Sequence, residues 1–160
     1  PFFGCRSLKT LTVEDGNPNY IVDDNVLYNK AHDILYAYPA GREDTSFEVP
    51  EGTLVVYAGA FFAAENLQQV TFHDDLQYIG EMAFDFCSGL QSITIPESVT
   101  TIGETAFSDC SALKEVTFVG AEDEDTGIDV ALAGAFLPCV LHHPNSPPIE
   151  VRICMRMTTM

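Results

Sequence analysis

The sequence predicts a β-rich solenoid of stacked 23-residue coils, with short strands, a few short helical turns and one inserted β-hairpin. Three observations predict it. Phe84-x-x-Cys87-x-x-Leu90-x-x-Ile93-x-Ile95 recurs as Phe107-x-x-Cys110-x-x-Leu113-x-x-Val116-x-Phe118, with every position advanced by 23. The connecting segments keep the same step, since Val99, Ile102 and Gly103 follow Leu76, Ile79 and Gly80. One coil earlier the frame reads Phe61, Ala64, Leu67, Val70 and Phe72. A coil of this size cannot bury its apolar side alone, so copies must stack, about 4.8 Å apart at equivalent positions.

In chain order, Phe2-x-x-Cys5-x-x-Leu8-x-x-Leu11-x-Val13 is the first copy. The step from Val13 to Val49 is 36, longer than one coil by 13. Turn residues Asp15-Gly16-Asn17-Pro18 open the extra length, and two β-rich runs fill it: Asn25–Tyr28 and Ile34–Tyr38, joined by 29–33. These form the hairpin, an insertion over about 15–45. In the regular coils Ile93 and Ile95 alternate inward with Ser92 and Thr94 outward, and Pro96 ends the ladder because it has no N–H. Val99 and Ile102 return the chain along a second side, and Gly103 permits a sharp corner.

Beyond Phe118 the pattern degrades. The 23-residue step places Val130, Ala133, Phe136, Cys139 and Leu141 in the core, with the acidic run 122–125 replacing one side. A rival register reads Ala135-Phe136-x-x-Cys139 as the motif, but puts His142 and Asn145 inside. The solenoid is therefore taken as residues 1–141, and 142–160 as a cap or tail, in which Ile149, Val151 and Ile153 alternate like a strand. Pro1 is no initiator, so a longer parent chain is expected.

Seven Lys and Arg against 24 Asp and Glu give a net charge of −17. Such a surface repels phosphate backbones and anionic lipid, which argues against nucleic-acid and membrane-surface partners and leaves cationic ones open. No apolar run reaches the length of a membrane span. The five cysteines lie 15 or more residues apart, without a C-x-x-C pair, so no zinc knuckle is expected and Cys87 and Cys110 read as buried free thiols. Cys139-x-x-His142-His143 lacks acidic support, and Asp123-x-Asp125 fails the calcium-loop pattern at Gly127 and Gly134. No metal or other cofactor is expected. His32 and His73 have no Ser or Cys partner in matching coils, and no Gly-rich phosphate loop appears, so catalysis is not expected.

The run Ile79-Gly80-Glu81-Met82-Ala83-Phe84-Asp85-Phe86-Cys87-Ser88-Gly89-Leu90-Gln91-Ser92-Ile93-Thr94-Ile95-Pro96 resembles the BspA-like subgroup of leucine-rich repeats. The stretch from Asn17-Pro18-Asn19-Tyr20 to Tyr38-Pro39-Ala40-Gly41 is similar to that family's longer repeat. The resemblance spans residues 2–119, with departures at Ala64 (for Cys), His73 (for Pro) and everything beyond Gly120. It implies a leucine-rich-repeat solenoid used for binding, in surface or secreted proteins of host-associated microbes, with host matrix glycoproteins or other cells as partners.

The expected function is a non-enzymatic module that binds protein or glycan, the alternative being a structural spacer. The outward strand positions form a ladder of small polar residues that includes Glu48, Thr71, Thr94 and Thr117, and Thr suits such positions in any case. A flat ladder lacks aromatic anchors, so the expected site joins these four residues to hairpin tyrosines, Tyr28 or Tyr36.

Overall fold

The computed structural model describes residues 2–119 and the strand 150–154. Its strands are β1 (Tyr20–Asp23), β2 (Val26–Asn29), β3 (Ile34–Ala37), β4 (Ser46–Glu48), β5 (Val55–Val56), β6 (Gln69–Thr71), β7 (Tyr78–Ile79), β8 (Ser92–Ile95), β9 (Thr101–Ile102), β10 (Glu115–Val119) and β11 (Glu150–Cys154). Each regular coil contributes one strand to each of two sheets. The front sheet has the order β11-β10-β8-β6-β4 and the side sheet β1-β2-β3-β5-β7-β9. Front strands pair in parallel at the 23-residue step, Ser46 with Gln69, Gln69 with Ser92 and Ser92 with Glu115. Alternation does the rest: Phe47, Val70, Ile93 and Val116 are buried between residues that face outward.

The segment expected to be an inserted hairpin is continuous with the coils. β1, β2 and β3 pair antiparallel in sequence, and β3 then lies parallel to β5, with Leu35 opposite Val56. The strand β3 is thereby the first level of the parallel side ladder. Its coil also supplies a core ring. Tyr38, Phe61, Phe84 and Phe107 stand 23 residues apart and stack at centroid separations of 5.1, 4.7 and 5.1 Å. Tyr38 thus belongs to the ring column instead of the hairpin, and it is buried like the three phenylalanines. Arg42 closes the lower end of this column, its guanidinium 4.9 Å from the Tyr38 ring centroid and 5.8 Å from that of Phe47. Asp44, 2.7 Å away, and Asp24 hold the guanidinium in place.

Between the two strands of each coil the chain turns, but no helix forms among the described residues. Left-handed residues recur twice per coil, at Gly59, Met82 and Thr105 and again at Ala63, Phe86 and Asp109. A right-handed helical turn cannot run through such positions. Instead the N–H groups reach across to the next coil: Phe61 to Ala83 O (2.8 Å), Ala63 to Asp85 O (2.8 Å), Phe84 to Ala106 O (2.7 Å). This makes a third hydrogen-bonded side, which explains how an irregular turn stays buried without orphaned amides.

Beside the ring column, Cys87 Sγ donates to Phe61 O at 3.0 Å, and Cys110 Sγ to Phe84 O at 3.1 Å. Both are free thiols in the core, and burial pushes the Cys87 thiol up to about 12. Cys5, in contrast, is exposed. Maleimide labelling without denaturant is expected to modify Cys5 within minutes and to reach Cys87 and Cys110 only after unfolding; fast labelling of either buried thiol would contradict this packing.

Asp85 is the one carboxylate in the described core, and its Oδ1 lacks a hydrogen-bond partner. Burial raises its pKa, and the Asp109 carboxylate in the next coil adds to the shift. A raised carboxyl favours the fold fully only below the ordinary carboxylate range, and that contribution is lost as pH rises. Asp85→Asn is therefore expected to gain about 1 kcal/mol at neutral pH. The gain should shrink below about pH 4, as measured by thermal unfolding across pH.

At the N-terminal end one expectation needs correction. The first copy does not form a coil strand: Phe2 and Phe3 are 37% and 48% exposed, and residues 10–13 carry no strand. An Asn25 side chain engages this segment instead, accepting from Leu11 N (2.8 Å) and donating to Lys9 O (2.5 Å). At the other end the strand beside β10 is β11, with Val116 opposite Val151 and Phe118 opposite Ile153, a step of 35 residues. The residues that the 23-residue register assigns there, Cys139 and Leu141, lie outside the described residues. The alternation of Val151 and Ile153 in β11 matches a strand. The acidic run 122–125, Cys139 and His142-His143 lie outside the described residues.

Candidate interaction surface

Glu48, Thr71, Thr94 and Thr117 sit where alternation placed them, on the outer face of the front sheet. Glu48 is opposite Thr71 on adjacent strands, and Thr94 is opposite Thr117. The result is a flat polar surface over a buried layer of Phe47, Val70, Ile93 and Val116. Glu48 is not idle, because His73 Nε2 lies 3.0 Å from its carboxylate. Thr117 is half-buried beside Glu115, whose carboxylate accepts its hydroxyl at 3.4 Å.

The two tyrosines expected to join that surface do not reach it. Tyr28 is 1% exposed, its ring stacked on His32 at 4.1 Å. Burial raises its phenol pKa, with Asp23 and Asp24 adding to the shift, so the ring is a core element. His32 in turn places Nε2 3.1 Å from Asp23. Tyr36 lies in the side sheet, half-buried. The physical reason is topological: β3 feeds the side sheet while β4, a few residues later, feeds the front sheet. Sequence proximity in the hairpin does not become proximity on one face.

Tyr36 has other neighbours. Its ring lies 5.5 Å from Tyr20 and 4.9 Å from Tyr57. Tyr78 follows on β7, opposite Val55, which shares the outer face with Tyr57. Tyr20, Tyr57 and Tyr78 are 41%, 47% and 38% exposed, so the side sheet carries an aromatic outer face with Ile34 and Val55 half-buried between the rings. Tyr57 and Tyr78 escape the sequence reading because the 23-residue frame follows Tyr57 with Gly80. The signal was present in the alternation around inward Val56 and Ile79, whose outward neighbours are Val55, Tyr57 and Tyr78.

The electrostatic setting of this face is one-sided. From residue 43 to residue 113 the chain has 12 Asp and Glu and no Lys or Arg. Exposed Glu81 and Glu104 come two residues after β7 and β9, one coil apart at the same end of the side ladder. Among the described residues no group of three or more His, Cys, Asp or Glu is arranged to hold a metal ion. No helix there is long and apolar enough to cross a membrane. The crevice under the N-terminal segment, lined by Phe2, Phe3, Tyr38 and Phe62 among others, has a volume of about 20 Å³, room for a single water.

Comparison with known proteins agrees with this architecture. Residues 36–144 match the family model of the BspA type leucine rich repeat region, in six copies. A leucine-rich repeat protein from Eubacterium ventriosum is 34% identical over 74% of this chain, with a TM-score of 0.72. The match covers 32% of that protein, so this chain spans about a third of it. A leucine rich cell surface protein from Faecalibacterium prausnitzii shares the fold at TM-score 0.64 and 24% identity, over 98% of this chain and 44% of its own. The pneumococcal vaccine antigen PcpA does so at TM-score 0.58 and 20% identity, over 92% and 37%. No curated protein matches the chain.

Proposed function

The chain belongs to the BspA-type leucine-rich repeat family, and from that premise we propose that it is a non-enzymatic interaction module, engaging protein or glycan, within a cell-surface or secreted protein. The observation that carries the reading is the row of Tyr20, Tyr36, Tyr57 and Tyr78 on the outer face of the side sheet. Large rings left in water, on strands that no other described element covers, are what an interface offers before a partner arrives. The polar ladder of Glu48, Thr71, Thr94 and Thr117 supplies a second contact face for a flatter, wetter interface. The surface location draws support from the F. prausnitzii protein, which is described as a cell surface protein.

The spacer reading is favoured by one detail: Tyr36 is already packed between Tyr20 and Tyr57, as a staple between levels would be. A screen against matrix proteins and a glycan array separates the two. Under the module reading a binder is found, and the Tyr57→Ala/Tyr78→Ala double variant or Thr71→Lys/Thr94→Lys weakens it while circular dichroism stays unchanged. Absence of any binder for the folded wild type would leave the spacer.

A further inference from the structure

We propose that the tyrosine face of the side sheet takes a basic polypeptide segment, whose Arg or Lys side chains lie over the rings of Tyr57 and Tyr78. The inference rests on the interaction-module reading and names the partner's chemistry. Two observations made independently of one another carry it. The rings are open and neighbouring: Tyr36 lies 5.5 Å from Tyr20 and 4.9 Å from Tyr57, and Tyr57, directly after β5, and Tyr78, on the adjacent strand β7, present 47% and 38% of their surface to water. The charge of these coils is mostly negative: residues 43–113 carry 12 carboxylates and no Lys or Arg, and Lys9, Arg42 and Arg6 from outside that stretch pair with Glu43, Asp44 and Glu65.

Those two facts select a cation. The face of an aromatic ring is negative, and a guanidinium or ammonium placed on it is attracted, most strongly where water is excluded by neighbouring rings. Exposed Glu81 and Glu104, two residues beyond the ends of β7 and β9, stand ready as carboxylate partners for the same side chains. Among the described residues the arrangement already occurs where Arg42 lies over Tyr38 and Phe47 and bonds Asp44, and again where Arg6 lies over Phe86 and pairs with Glu65. A second copy of this chain fits poorly as the occupant, because both partners would bring a charge of −17. A neutral glycan would stack on the rings but leave the carboxylates without counter-charge.

The test uses the full chain and three synthetic 12-residue peptides: alternating Arg and Ser, the same with citrulline for Arg, and the same with Glu for Arg. With no Trp in the chain, tyrosine emission reports ring contact directly. At about 150 mM salt, where diffuse attraction is screened beyond about 8 Å, the Arg peptide is expected to bind and quench tyrosine emission. The citrulline peptide should bind about tenfold more weakly, and Tyr57→Ala/Tyr78→Ala should weaken the Arg peptide by about the same factor. Glu51→Gln, exposed in the turn between β4 and β5, should leave its affinity within about twofold. Equal binding of the Arg and citrulline peptides, or of wild type and the tyrosine variant, would overturn the proposal. If the Arg peptide fails but a neutral glycan binds in a Tyr57- and Tyr78-dependent way, the basic partner is wrong and the interaction module stands. If no probe or screened partner depends on any surface variant, both readings fall together.

Discussion

Phe84→Ala is expected to destabilise the fold by about 3–5 kcal/mol, the usual loss for a buried aromatic. The ring is fully buried, stacked on Phe61 at 4.7 Å and on Phe107 at 5.1 Å, with Phe72 edge-on at 6.0 Å. Its removal opens a cavity in the middle of the column, where the coils above and below are pinned by backbone hydrogen bonds on three sides and collapse only partly. Because each coil is stabilised largely by its neighbours, the loss weakens two interfaces at once. Denaturant unfolding checks it. A loss below about 1 kcal/mol would mean that the stacked rings contribute little, and the account of the core would fail.

Gly80→Ala is expected to cost about 3 kcal/mol, at the upper end of overpacking effects. A Cβ there would lie 2.5 Å from Ala58 N and 2.7 Å from Tyr57 C, both backbone atoms of the preceding coil. Nothing flexible can move aside. Gly52→Ala makes the control. A Cβ at Gly52 meets nothing within 4 Å, but its φ of +82° imposes left-handed strain of about 1–2 kcal/mol. Thermal unfolding should rank Gly80→Ala as the worse of the two; the reverse order would show that the coils separate easily at this corner. The same corner one coil on, at Gly103, has a Cβ position 2.3 Å from Glu81 N. The sequence reading attributed Gly103 to a sharp turn, whereas the residue is needed because two backbones touch.

The amino-acid sequence alone determined the repeat, the identity of the column Phe61, Phe84 and Phe107, the inward and outward positions of the front strands, and the free buried state expected of Cys87 and Cys110. The reason is that a stacked solenoid repeats the same environment every 23 residues, so one-dimensional periodicity maps directly onto burial. Tertiary structure decided what periodicity does not encode. The left-handed positions at Met82, Phe86, Thr105 and Asp109 carry no glycine signal, because cross-coil hydrogen bonds impose a backbone that side-chain preference would not choose. The fate of the tyrosines was decided in the same way. Tyr28 and Tyr38 entered the core, Tyr36 joined Tyr57, and Tyr20 and Tyr78 stayed in water, according to which sheet each strand entered. Glu48 and Tyr36, 12 residues apart, ended on different sheets because the chain turns a corner between β3 and β4, and a corner in space leaves no period in the sequence.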